Sequence, residues 1–225
     1  MTETDIAPRK RKRAPSKRSL ETRARILDAA ERLFAQGGFD GASMRDIALA
    51  ADVPVALVNF HGGAKEALFE TVVARRAETL ARHRLDALEA SRADQPQLGL
   101  RALLECFIRP YIHLAASGGP QWTAYARLIA HVSADERWRP ISERCFDPTV
   151  AVFVKELGKA LPEAETRQIA GAFVFSISAM LSLATSRWRI EAMAGSQGGL
   201  TSGLDEWADF LIDFCEGGFR SALTN

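Results

Sequence analysis

From Ser19 onward the apolar positions recur at the spacing of one helical face. Ile26, Ala29, Ala30, Leu33 and Phe34 fall at i, i+3, i+4, i+7 and i+8, and Gly37-Gly38 ends the stripe. The run Ser43-Met44-Arg45-Asp46 has the form of a capping box. In it the Ser43 hydroxyl accepts from the Asp46 amide while the Asp46 carboxylate reaches back, so a short helix is predicted to Ala51. Pro54, suited to a first helical turn, opens a second short helix to about Phe60. Gly62-Gly63 stops it, and Lys65 to about Ala90 reads as one long helix. Further helices are predicted near 97–116, 120–133, 137–160, 163–193 and 204–223, separated by breaks at 94–96, 117–120, 161–162 and the glycine-rich 195–203. Pro110, Pro140 and Pro148 lie inside or at the edges of these segments and predict kinks or extra breaks. No strand alternation and no internal repeat occurs, so the expected fold class is all-α.

Composition narrows the classes that remain. A chain of 225 residues corresponds to one or two domains, and 47% hydrophobic with 25% charged residues suffices for a core without staples. Wholesale disorder, collagen-like sequence and a disulfide scaffold are excluded. Cys106, Cys145 and Cys215 lie far apart, which fits reduced thiols in a cytoplasm. No His or Cys group has metal-ligand spacing, and no cofactor is expected. The charged first 18 residues have no apolar run behind them, so no signal peptide is expected. Ile169–Ser186 is an uncharged stretch of 18 residues, at the lower limit for a membrane span. Its serines and small residues favour a central bundle helix, buried on most sides, over a membrane segment.

The net charge of +1 hides an asymmetry. Residues 1–65 carry 12 Lys and Arg against 8 Asp and Glu, while residues 66–225 carry 17 against 20. A basic end on a mildly acidic body points to nucleic acid. Arg9-Lys10-Arg11-Lys12-Arg13, Lys17 and Arg18, with Pro8 and Pro15, mark residues 1–18 as a disordered basic arm able to reach phosphates or a minor groove. The four histidines, His61, His83, His113 and His131, have no companion motif: no GxSxG, HExxH, P-loop or GxGxxG. An enzyme is not expected. His83 is placed with Arg82 and Arg84 on a solvated helix face.

Two short helices joined by about three residues must cross steeply, and Ala48 is the small residue such a crossing needs. Ile47, Val53, Leu57 and Val58 are expected to form the shared core. Val55, Ala56 and Asn59 are left on the outer face of the second helix, with Arg45 exposed on the first. Asn can bond adenine bidentately, and small apolar side chains touch thymine methyls. The expected organisation is a three-helix helix-turn-helix domain over 19–64 and a helical body over 65–225.

Across about residues 22–69, "TRARILDAAERLFAQGGFDGASMRDIALAADV" followed by "ALVNFHGGAKEALF" resembles the TetR family of transcriptional regulators. The resemblance implies that the third helix enters the major groove of double-stranded operator DNA. It also implies that Ser43 contacts phosphate, that Phe60 and His61 approach the backbone, and that Lys65 contacts phosphate at the start of the fourth helix. Helix N-termini and nearby cations suit such roles independently. Four positions depart from the family pattern: Asp52 replaces a turn glycine, Pro54 a Ser or Thr, Phe60 a Tyr, and Gly62 a Phe. They keep open an alternative reading, a helical dimeric ligand-binding adaptor that has lost selective DNA binding.

For the body the resemblance implies a domain that binds a small molecule and makes a homodimer through its last two helices. The segment 163–193 offers Gly171, Ala172, Ser176, Ala179 and Leu183, small residues allowing close approach. The segment 204–223 offers the stripe Leu204, Trp207, Ala208, Leu211, Ile212, Cys215 and Phe219. Paired with their copies they would form an isologous four-helix interface. Candidate ligand-binding residues are Phe107, Tyr111, His113, Trp122, Tyr125 and Phe175, with His131, Phe173 and Met180 nearby in the pattern. "ARLIAHVS", the Pro110 kink and "AFVFSISAM" are similar to a subgroup with fatty-acid-responsive members, which implies an apolar or amphipathic effector. The expected function is a homodimeric repressor, cytoplasmic and not membrane-bound, released from a palindromic operator by that ligand.

Overall fold

The computed structural model describes residues 16–195 and 203–223. Among them are eleven α-helices, one 3-10 turn and no strand. The basic run 9–13 lies outside the described residues, as does most of the glycine-rich break. Lys17 and Arg18, expected in a disordered arm, instead open α1 (Lys17–Gly37), because the Ser16 hydroxyl caps it by accepting from the Ser19 amide. Ile26, Ala29, Ala30 and Phe34 of the predicted stripe are buried. They pack on α2 (Met44–Ala50), α3 (Val55–Gly62) and the long α4 (Lys65–Asp94).

The capping box forms as read: Asp46 N donates to Ser43 Oγ at 3.1 Å and Ser43 N donates to Asp46 Oδ2 at 3.2 Å. Pro54 occupies the cap position of α3 rather than its first turn. Asp52 takes the left-handed turn at φ 51°, the conformation a glycine would otherwise supply. Gly62 is buried because Leu68 fills the space beside it; a Cβ there would stand 2.9 Å from Leu68 Cδ1. A leucine from α4 thus packs the junction between α3 and α4 beside this glycine.

The body continues with α5 (Leu100–Ser117), α6 (Pro120–Ala134), the 3-10 turn Glu136–Trp138, α7 (Arg139–Cys145), α8 (Asp147–Ala160), α9 (Thr166–Ser186), α10 (Trp188–Ala194) and α11 (Leu204–Leu223). The single helix expected over 137–160 is therefore three pieces. Pro140 and Pro148 each sit in a first turn, where a missing N–H costs nothing, and so begin new helices. Pro110 instead lies inside an unbroken α5. The segment 163–193 begins its helix at Thr166 and divides at Arg187.

α11 packs along α5 and α9, while α6 bridges α1 and α9. The α11 stripe expected to meet a second subunit points inward instead: Ala208, Leu211, Ile212, Cys215 and Phe219 are buried in the monomer core. α9 differs from expectation in the other direction. Only 33% of its apolar window is buried, and Val174 and Phe175 stand 55% and 75% exposed. By length and composition alone this helix passes as a membrane span, with mean hydropathy 1.7.

Candidate functional site

The outer face of α3 carries Val55, Ala56, Asn59 and Phe60, all exposed, next to exposed Ser43 and Arg45 on the α2 side. Ile47, Ala48 and Val58 form the buried crossing as expected, but Leu57 is exposed and joins the outer face. The reason is register: Leu57 follows Ala56 by one residue, or about 100° of helix, and turns away from Val58. Phe60 and His61 stack edge to face with centroids 5.0 Å apart. Lys65, half-buried at the start of α4, places its ammonium 4.3 Å from the Phe39 ring centroid. That ring belongs to a cluster with Phe34, Phe69 and Trp138, so Lys65 rests on the seam between the three N-terminal helices and the body. Arg137 clasps Asp40 across the same seam at 3.0 Å and holds its carboxyl below the usual carboxylate range.

The six candidate ligand residues do not converge. Phe107 and Tyr111 line a cavity of about 220 Å³ between α4, α5, α6, α7, α8 and α9, together with Leu80, Arg84, Ile177 and Met180. His113 is exposed and lines a separate cleft with His83 and Arg109. Tyr125 is fully buried and donates to the Val73 carbonyl at 3.3 Å, a core hydrogen bond. Trp122 meets Tyr125 edge to face, and the Arg76 guanidinium lies over its ring. Phe175 lies on the outside of α9, in a groove with Phe214 of α11, and cannot reach the cavity. Phe173 packs between Phe107 and Phe153 in the core, and His131 is exposed on α6.

Arg84, assigned from the sequence to a solvated face, is only 6% exposed and is the residue sequence reasoning missed. Its signal was available: Ala77, Leu80, Arg84 and Leu88 form one stripe at spacings of three and four, with a cation in an otherwise apolar row. Its Nε donates to the Phe107 carbonyl at 2.9 Å, and its guanidinium carbon sits 3.6 Å from the Phe107 ring centroid. Burial pushes its pKa down to about 9, which leaves it charged at neutral pH. All three cysteine thiols are pushed up by burial, which makes them poor nucleophiles.

Two family models match this chain. The model of bacterial regulatory proteins of the tetR family covers residues 26–72, and that of the tetracyclin repressor-like C-terminal domain covers residues 105–218. The chain belongs to the TetR family. As a TetR-family protein it is a helix-turn-helix DNA-binding transcription regulator and not an enzyme. Among its relatives, the HTH-type transcriptional regulator BetI of Burkholderia thailandensis is 25% identical over 177 residues, spanning 77% of this chain and 83% of BetI. The fatty acid degradation regulator FadR of Bacillus halodurans shares the fold at TM-score 0.61 with 16% identity, covering 93% of this chain and 99% of that one. FadR of Bacillus subtilis, solved in complex with stearoyl-CoA, superposes at TM-score 0.59 with 13% identity, covering 87% of this chain and 98% of that one.

Proposed function

We propose that this TetR-family regulator is a homodimeric repressor that leaves a palindromic operator when a small apolar or amphipathic molecule enters the body. The observation that carries this reading is the course of α4. One helix starts at Lys65 beside the outer face of α3 and reaches Arg84 in the cavity wall, roughly 28 Å away at 1.5 Å per residue. A rigid element touching both regions can transmit a small change in the cavity as a change in head angle. In a two-fold dimer that angle decides if two copies of α3 span successive major grooves, roughly 34 Å apart.

Base reading is assigned to Val55, Ala56 and Asn59, and backbone contact to Ser43, Arg45, Phe60, His61 and Lys65. The dimer face is assigned to the outer side of α9 and α11, where Phe175, Phe210 and Phe214 are 75%, 63% and 67% exposed. Three such aromatics on adjacent helices favour a protein-covered face over solvent, and the same burial accounts for the apolar half of α9 without a membrane. The protein then works in the cytoplasm beside its DNA. The stearoyl-CoA complex of the Bacillus subtilis relative supports an effector with an apolar part.

The experiment is capture of sheared genomic DNA on the full-length protein, washed at moderate salt and sequenced. A recovered palindrome bound by a dimer is the expected result. Salt-labile capture without a motif overturns the repressor reading and favours the adaptor.

A further inference from the structure

The cavity lined by Arg84 holds a positive charge without a counter-charge. Among the described residues no carboxylate comes within ion-pair distance of Arg84, although it is 6% exposed. Its guanidinium lies over the Phe107 ring, its Nη2 donates to the Met180 sulfur at 3.6 Å, a weak acceptor, and its Nη1 makes no hydrogen bond to the described residues. Asp147, the acidic residue lining the cavity, is exposed at the mouth and does not pair with it. Beside Arg84, the hydroxyl of Tyr111 is buried and makes no hydrogen bond at all. A buried unpaired charge and a buried unbonded hydroxyl are each costly, and both belong to residues that line the same cavity.

The rest of the wall is mostly apolar, with Leu80, Ile129 and Ile177, and is interrupted by Ser133 and Ser142. Its volume of about 220 Å³ lies below the about 300–1,000 Å³ of drug-sized ligand sites, so a compact molecule fits. We infer that the cavity takes a small organic monocarboxylate, with its carboxylate between the Arg84 guanidinium and the Tyr111 hydroxyl and its apolar part against the aliphatic wall. This rests on the effector reading above and sharpens it from an apolar molecule to an anion with an apolar tail. The donors left without a strong acceptor, those on the Arg84 Nη1 and Nη2 and the Tyr111 hydroxyl, belong to two residues that line the cavity and suit the acceptor oxygens of one carboxylate. A neutral amide of the same shape would leave the cation uncompensated.

The test is calorimetric titration of the full-length protein with benzoate, phenylacetate and octanoate, each against its amide, with 1-octanol and naphthalene as neutral apolar probes. At least one acid is expected to bind about 10–100-fold more tightly than its amide, the range of hydrogen bonds made to a charged group. Arg84→Met, which keeps the apolar length of the side chain, should abolish that preference. Should it fold poorly, Tyr111→Phe, which removes one atom that bonds nothing, should still cut the preference severalfold. Equal binding of acids and amides, or an acid preference that survives both substitutions, overturns the anion inference and leaves the effector reading standing. Binding of only the neutral probes does the same. Silence from every probe overturns the inference for compact acids, and operator binding that no ligand extract of the cell releases would overturn the effector reading separately.

Discussion

Glu31 of α1 is completely buried, and Arg76 of α4 grips it with two nitrogens: Nε donates to Oε1 and Nη2 donates to Oε2 at 2.9 Å. Arg75 adds a third bond to Oε2 at 2.7 Å. The pair ties the helix that underpins the DNA-facing head to the helix that reaches the cavity. Glu31 is held by geometry, since without the arginines it would be an unpaired charge away from water, whereas the partly exposed Arg75 also pairs with Asp28 at 2.8 Å.

Glu31→Gln should therefore lower unfolding free energy by about 1–3 kcal/mol, because the amide keeps one acceptor and the arginines left behind retain solvent and, for Arg75, the Asp28 carboxylate. Urea denaturation followed by circular dichroism measures this. A loss under 1 kcal/mol, set against the roughly 1 kcal/mol net value of an ordinary hydrogen bond, would mean that the seam does not depend on the pair.

Lys65 and Asn59 should separate cleanly on DNA. Lys65→Ala is expected to weaken binding to every sequence and to reduce the salt slope by about 1. Asn59→Ala is expected to cost about 1–3 kcal/mol at particular base pairs and little elsewhere. Fluorescence anisotropy over a salt series with operator variants reads both, and an unchanged sequence preference in Asn59→Ala removes it from base reading.

Phe214 lies between two apolar grooves on the outer side of α9 and α11, each of about 420–430 Å³. Phe214→Glu should convert a dimer to a folded monomer, because it removes the exposed ring and would force a carboxylate to be desolvated in that apolar face. Sedimentation velocity decides this, with circular dichroism to confirm the fold. A dimer that persists places the interface elsewhere.

Glu216 joins α11 to α5. Its carboxyl is held below the usual range by bonds from Arg220 and Arg101, against the upward push of burial. A carboxyl whose value is lower folded than unfolded contributes stability above the ordinary value of 4.5, and that contribution fades as pH falls through the lowered one. Glu216→Gln should flatten the acid limb of the stability curve below about pH 4.5 while leaving its shape near neutrality unchanged. Thermal melts from pH 3 to 7 report the difference.

Much of the head was legible in the sequence because its signals are local. The capping box at Ser43, the left-handed turn at Asp52 and the outward Asn59 each follow from residues within a few positions of one another. Helix spacing also marked most of the body's elements, and the prolines marked where 137–160 breaks. Leu57 was misjudged because two short helices leave room for only part of an apolar row at their crossing.

What the sequence determined alone was an all-α chain with a helix-turn-helix at its basic end and apolar helices behind it. Tertiary structure decided which apolar face of α11 is core and which is free, since Phe210 and Phe214 look no different in sequence from Leu211 and Cys215. It also decided that Arg84 is interior while its neighbours Arg82 and His83 are not, and that Phe175 faces out while Phe107 faces in. Periodicity fixes which residues share a helix face, but the partner on that face comes from elements far away in the chain, and only their packing says where a charge or a ring is enclosed.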